Sequence, residues 1–348
     1  MNFRLTGTRG NQMNSENVFY HTKFDRAFRE MYGLFLNPRK DLVILLTGAS
    51  GAGKSEIAEL LEKKHSVPES REHIQGIKPV VMVSARNQQD LGRFSIKDLW
   101  ANALRKIKHP LVANGASVKQ IPTSELSYAF ELALKHMQTK YLVIDEAQHI
   151  RKVRGGDANA QHILDTLKCF AAEVGVVLVL SGAYPLMSTV DLGPQLSRRT
   201  YPVIVHRYHA DRDGDLVEFS RVVEWCAAAH GLDFSHHIKP ALPDIYHQSL
   251  GVFGMVDNLM YYVARQLDTR GIEDPCEELI KSLIQSQTPG EKIRREIEEG
   301  EIYLAEKRNS GLRETSGRSK GKVVRGGRKS KKKVSRKPKD FDRKAVFE

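Results

Sequence analysis

Short, uninterrupted apolar runs separated by longer amphipathic stretches dominate the chain as far as residue 210. The runs are Leu42–Leu46, Val80–Val83, Tyr141–Ile144, Val176–Leu180 and, more weakly, Val203–Val205. A run of four or five apolar residues closed by turn residues predicts a strand buried on both faces. Patterns with helical spacing lie between them, over 16–37, 54–64, 95–107, 124–138 and 158–173. Strands alternating with helices predict a parallel sheet covered by helices on both sides, an α/β fold. Beyond 210 the valine-rich runs stop. Helical patterns follow over 213–230, 240–249, 252–268 and 275–287, then a charged helix or coil over 291–308. From Asn309 onward Gly, Ser, Lys and Arg leave too little apolar surface to fold alone. The expected division is an N-terminal extension and helix (1–40), an α/β core (41–209), a small helical domain (210–290), a charged linker (291–308) and a disordered basic tail (309–348).

Charge sharpens this division. The 348 residues carry a net charge of +12, yet the segment from Lys307 to Glu348 holds 17 of the 54 Lys/Arg and only 4 of the 42 Asp/Glu. The excess is therefore a property of the tail, and the body is close to neutral. Within it the low-complexity stretch Arg325–Lys339, cationic and without interleaved aromatics, can neutralise phosphates but offers no platform for stacking bases; a solubilising role or a docking peptide are the alternatives. The longest mostly apolar stretch free of charge, Val174–Val190, is broken by Gly, Ser, Tyr and Pro and is too short for a membrane span. The first ten residues lack the apolar block of a signal peptide. Three scattered cysteines argue against a disulfide framework. A cytoplasmic protein without a membrane segment is expected.

The first apolar run leads into Gly48-Ala49-Ser50-Gly51-Ala52-Gly53-Lys54-Ser55, and a helix pattern follows. This is the phosphate-binding loop in its required strand–loop–helix context. Its glycines let backbone N–H groups encircle a phosphate, and the helix aims its positive end there. Lys54 is placed for the β- and γ-phosphates, and the Ser55 hydroxyl for Mg²⁺. The third run delivers Asp145 and Glu146 at a strand C-terminus, where open α/β sheets bind ligands. Asp145 would hold the Mg²⁺ through its water shell, and Glu146 would polarise a water toward the γ-phosphate. A plain helix N-cap is the other use for such a pair. A water-activating Glu favours hydrolysis of a nucleoside triphosphate over a small-molecule kinase. Ser181, ending the fourth run, is a candidate to position the water or the γ-phosphate; a strand-terminating Ser is the alternative. Arg198 and Arg199 are candidates for an arginine finger acting on a neighbouring subunit, or else a solvated basic pair. His230, His236, His237 and His247 lack metal-ligand spacing. Trp100 and Trp225 sit in apolar helical patterns and read as core.

The order of Gly48–Ser55, Asp145-Glu146-Ala147-Gln148-His149, Leu164–Phe170, Leu178–Ala183 and Gln195-Leu196-Ser197-Arg198-Arg199 resembles the AAA+ ATPases, and among them the TniB/TnsC transposition regulators. The resemblance runs over about 16–285. It departs at Arg199, where the family has Phe, and at Met255, where an arginine sensor often follows the Gly251–Gly254 turn. It implies an AAA+ core with a helical lid, and a Mg²⁺-dependent ATPase that assembles as rings or filaments on double-stranded DNA. Such an assembly marks a target and recruits a transposase, in some cases through a TniQ-type adaptor, and hydrolysis takes it apart. The family's DNA contacts follow the second strand, which here points to Arg93, Lys97 and Lys119; solvated surface charge is the alternative for each. Tyr20-His21 precedes the first strand, where related ATPases grip adenine. A helicase loader or initiator shares all these site residues and differs in its partner. A scaffold gated by ATP but too slow to count as an enzyme is a further reading.

Overall fold

The structure, a computed structural model, describes residues 19–39, 42–66, 76–86, 92–113, 118–191, 193, 198–272, 275–287 and 290–317. By its internal contacts the chain divides into two units, Met1–Glu301 and Ile302–Glu348. The architecture below is that of the first; the second is described only as helix, up to Gly317.

Five parallel strands, β1 (Val43–Gly48), β2 (Val80–Ser84), β3 (Tyr141–Asp145), β4 (Val177–Gly182) and β5 (Thr200–Val205), form one sheet in the order β2-β3-β4-β1-β5. Every residue of β1, β3 and β4 is buried, as their continuous apolarity requires. β5 is an edge strand, paired among the described residues with β1 alone, and leaves Tyr201 exposed. Pro202 is compatible with that position, because an edge strand can spare an N–H. The strands outlast their apolar runs. Thr47 is in register with Gly182, Leu46 with Ser181, and Ser84 with Asp145. Ladder pairing carries these polar residues inside the sheet, which hydropathy alone does not reveal.

The helices of the sheet region are α1 (Thr22–Leu36), α2 (Lys54–Ser66), α3 (Ile96–Lys106), α4 (Pro110–Ala113), α5 (Thr123–His136), α6 (Asp157–Val174) and α7 (Pro185–Val190). A 3₁₀ segment, Ala147–Lys152, follows β3. Ser95 caps α3 by accepting the Asp98 N–H, and Gly175 ends α6 in the left-handed conformation. Trp100 of α3 is in the core, as expected, packed on Phe130 of α5 and Phe170 of α6. The sequence pattern placed the start of the first helix at 16. Residues 16–18 lie outside the described residues, and Phe19–His21 precede the helix without being part of it.

Four further helices, α8 (Asp213–Ala229), α9 (Leu242–Ser249), α10 (Phe253–Arg270) and α11 (Glu277–Gln285), pack with two short helical turns over Phe234–Ala241 around a second core. Phe19 and Tyr208 belong to that core too. His21 Nδ1 meets the Tyr208 hydroxyl at 2.9 Å, Lys23 pairs with Asp215, and Thr22 donates to Glu218. The segment ahead of β1 is therefore bound to the helical part as well as to the sheet. The last helix, α12 (Glu291–Gly317), runs past 308, where composition placed the start of the tail. Residues 318–348 of the expected tail lie outside the described residues. Among the described residues no helix is long and apolar enough to cross a membrane.

Candidate functional site

The loop between β1 and α2 needs its glycines. Gly51 and Gly53 have φ of +82° and +92°, which side-chain-bearing residues avoid, and a Cβ on Gly53 would lie 3.0 Å from the Phe24 ring. Gly254, on the first turn of α10, donates its N–H to the Gly51 carbonyl at 3.0 Å; a Cβ there would approach that oxygen to 2.7 Å. The helical part therefore abuts the loop at a contact only glycine permits. Lys54 is buried, and its ammonium donates to the loop carbonyls of Gly48 (3.1 Å) and Ala49 (2.7 Å). Burial lowers its pKa, opposed by Glu146, Glu296 and Asp145 nearby.

Asp145 lies at the end of β3, two strands from β1, with β4 between them. Ser181 on β4 donates its hydroxyl to Asp145 Oδ1 and Ser55 of the loop donates to Asp145 Oδ2, both at 2.8 Å. The structure thus joins three sequence candidates around one carboxylate. Ser181 is fully buried, and its described partner is Asp145, not open space beside the loop. Ser55 Oγ and Asp145 converge as hard oxygen donors, a set that suits Mg²⁺ completed by phosphate and water oxygens.

Glu146 has left-handed backbone (φ +56°, ψ +31°). This conformation turns the chain from β3 into the 3₁₀ segment. Its Oε2 accepts from Gln148 Nε2 at 2.7 Å, and Gln148 Oε1 accepts the Ala183 N–H at 3.1 Å. Gly182 makes room for that amide, since a Cβ there would lie 2.2 Å from Gln148 Oε1. Gln148 was not singled out by sequence reasoning. Its position two residues after Glu146 was visible, but its partner at the end of β4 required the sheet order. His149 reaches back to the Ala85 carbonyl beyond β2.

A cavity of about 490 Å³ opens over the loop, lined on one side by Ser50, Gly51, Gly53–Ser55, Glu146 and Gln148, and on the other by Phe19, His21, Phe24, Trp225 and Phe253. Phe19 stacks on Trp225 and His21 on Phe253, at centroid distances of 4.7 and 5.0 Å. Burial, with Lys23 adding to it, lowers the His21 pKa to about 3, so the ring is neutral. His21 thus lines the cavity, while Tyr20 packs edge-on against Phe24 and Phe28. Trp225, read as core, is half-buried: it packs on the helical core and forms part of this wall.

Arg198 and Arg199 are exposed at the N-terminal edge of the sheet, where the Arg199 carbonyl accepts the Val43 N–H. The loop follows the opposite end of β1. Six residues of strand span roughly 20 Å, so neither arginine reaches the loop of its own chain. Gln195–Ser197 lie outside the described residues. Lys97, on the first turn of α3, donates to the Lys119 carbonyl at 3.0 Å, bringing these two candidates together; Arg93 is exposed just before the same helix.

The family model described as "Bacterial TniB protein" matches residues 9–210. This chain belongs to the TniB family. No curated protein matches its sequence. Among solved structures, Aeropyrum pernix ORC2 in its ADPNP–ADP complexes is similar at 14% identity with a TM-score of 0.54, over 76% of this chain and 68% of that one. The Walker-type ATPase PABY2304 of Pyrococcus abyssi is similar at 14% identity with a TM-score of 0.50, over 88% and 78%. At such identities the likeness establishes the fold, which is that of the AAA+ ATPases with a helical C-terminal part. Family and fold together make this a transposition-associated AAA+ ATPase.

Proposed function

We propose that the chain is a Mg²⁺-dependent, DNA-binding transposition regulator that assembles on double-stranded DNA when ATP-bound, engages a transposase directly or through a TniQ-type adaptor, and comes apart on hydrolysis. The observation that carries the nucleotide chemistry is Asp145 held between Ser55 of the loop and Ser181 of β4, with Glu146 beside it. The loop amides of Gly51–Ser55 bind the phosphates of ATP, and Lys54 exchanges the Gly48 and Ala49 carbonyls for phosphate oxygens. Ser55 and Asp145 would hold Mg²⁺, which neutralises β/γ charge when bound. Ser181 orients Asp145. Glu146 takes a proton from a water aimed at the γ-phosphate; with Oε2 committed to Gln148, Oε1 is the accepting oxygen. Gln148 is thus a positioning residue, tying the base to the end of β4. The aromatic wall gives the adenine a face to stack on. Arg198 and Arg199 act in trans, supported by their place at the sheet edge away from their own loop. The protein acts in the cytoplasm, with 41–209 as ATPase core and 210–290 as lid.

Arg93, Lys97 and Lys119 are proposed to line the DNA-facing surface of a ring or filament, and the tail to add phosphate contacts without sequence readout. DNA binding measured across a salt series with ATP, ADP and no nucleotide tests this. Each phosphate neutralised contributes about 0.9 to the slope of log K against log salt on duplex DNA. Deleting 309–348 should flatten that slope and leave the ATP-dependent component in place. Replacing Lys97 and Lys119 by Ala should remove the ATP-dependent component and spare the rest. Loss of all binding on tail deletion, with no effect of the lysine changes, contradicts the proposal. A helicase loader would show the same nucleotide dependence but would recruit no transposase.

A further inference from the structure

After Ser84 and Asp145 the chains of β2 and β3 leave the sheet, and they meet again beyond it. The Ala85 N–H donates to the Asp145 carbonyl at 2.8 Å, and past that point the ladder ends. The two segments rejoin where Phe94 and Val153 form an isolated parallel bridge, the Phe94 N–H donating to the Lys152 carbonyl at 3.3 Å. Phe94 is buried and anchors this junction. The bridge brings the residues before its two members, Arg93 and Lys152, to neighbouring positions, and Arg154 follows Val153 directly.

These three cations are exposed, and among the described residues no carboxylate pairs with any of them. Asp157, the acid nearest in sequence to Arg154, is taken by Arg151 at 3.1 and 3.3 Å. The turn after Arg154 has a defined backbone. Gly155 and Gly156 have φ of +97° and +73°, and Asn159 Nδ2 donates to the Arg154 carbonyl at 2.6 Å. A Cβ on Gly155 would lie 2.2 Å from that amide nitrogen, so the bond needs the glycine. Lys97 differs from these cations, being half-buried and already donating to the Lys119 carbonyl.

We propose that Lys152 and Arg154 form, beside Arg93, a contact for the phosphate backbone of double-stranded DNA, and that the 3₁₀ segment Ala147–Lys152 links this contact to the ATP site. The proposal rests on the DNA-binding reading above and adds residues and a route to it. An exposed cation has no ion pair to break and can neutralise a phosphate. The aromatic at the junction, Phe94, is buried, so the surface offers contact with the backbone and no stacking of bases. The segment that ends at Lys152 begins next to Glu146, whose left-handed backbone starts it. Gln148 ties its near end to Glu146 and to the Ala183 N–H. His149 Nδ1 lies 3.0 Å from the Ala85 carbonyl, and Phe94 holds the far end. A movement of Glu146 toward a γ-phosphate is therefore passed along a short, pinned segment to the cations. Coupling of this kind is reciprocal, so the ATP-bound state tightens the hold on DNA by the factor by which DNA tightens the hold on ATP.

The test compares full-length Lys152→Ala/Arg154→Ala with Lys78→Ala/Lys140→Ala. The second variant removes the same two charges from exposed positions just before β2 and β3, at the opposite end of those strands. Binding to a fluorescent DNA duplex is measured across a salt series with a slowly hydrolysed ATP analogue, with ADP and without nucleotide, after thermal denaturation has shown each variant folded. Lys152→Ala/Arg154→Ala should flatten the slope of log K against log salt by up to about 1.8, two phosphates at about 0.9 each. Its affinity with the ATP analogue should fall about tenfold, and with ADP by less. Lys78→Ala/Lys140→Ala should stay close to the parent. Equal flattening by both variants would make the effect one of net charge and overturn the contact. An equal loss in all three nucleotide states overturns the link to Glu146. If the parent binds more tightly with the analogue than with ADP and folded Lys152→Ala/Arg154→Ala does the same with unchanged affinity, this proposal alone fails. If the parent itself binds no more tightly with the analogue than with ADP, the DNA-binding reading beneath it fails.

Discussion

Gln148→Ala isolates the group that orients the proposed base. It removes the 2.7 Å bond to Glu146 Oε2 and the acceptor for the Ala183 N–H, and leaves the loop and Asp145 untouched. A hydrogen bond to a charged group is worth roughly 1.5–3 kcal/mol; the low end applies to a site open to a cavity. Freed, the Glu146 side chain spreads over several rotamers, few of which point at the γ-phosphate. If the full loss falls on the transition state, about 1.5–2.5 kcal/mol becomes a fall in kcat of roughly 10- to 70-fold. KM for ATP should stay within about twofold, because uniform binding is not touched. Gln148→Glu adds a like charge opposite Glu146. It should be slower than Gln148→Ala at pH 8 and recover in part as pH falls and the pair takes up a proton. Steady-state phosphate release over an ATP and pH series reads all of this. A Gln148→Ala enzyme with kcat within twofold of the parent, or with its whole defect in KM, refutes the positioning role.

Two further outcomes follow from the same geometry. Because Arg198 and Arg199 lie out of reach of their own loop, mixing an Arg198→Ala/Arg199→Ala protein with a Lys54→Ala protein should restore turnover that neither has alone, since one kind of junction pairs an intact loop with intact arginines. No recovery at any ratio, with both proteins folded, rules out a trans finger. His21 is neutral in the fold, with its pKa lowered to about 3. The unfolded chain takes up its proton below about pH 6.5, so stability should fall from there downward by up to about 1.4 kcal/mol per pH unit from this group. Denaturant unfolding at pH 7.5 and 5.5 should show a smaller acid loss in His21→Phe than in the parent; equal losses would place the acid sensitivity elsewhere.

Much of this site was legible in the sequence because its chemistry is local. Gly48–Ser55 and Asp145-Glu146 each declare themselves within a few residues, and the buried strands carrying them are continuous apolar runs. What escaped depends on contacts between distant segments. Ser181 and Asp145 are 36 residues apart and meet only because β4 lies beside β3. The wall of Phe19, Trp225 and Phe253 joins the segment before β1 to α8 and α10, and a half-buried Trp in an amphipathic helix has the same pattern as a core Trp.

In the proposed function the cavity over the loop hydrolyses ATP with Glu146 as the base. Glu146→Gln tests it most directly, because the variant keeps the side-chain volume, the loop and the Mg²⁺ ligands and removes only the group that accepts the proton. Equilibrium ATP binding and steady-state phosphate release should be measured on the same preparation. ATP binding should stay close to that of the parent while turnover falls by about 100-fold or more, in the range expected of a lost general base. Turnover like the parent's would contradict it.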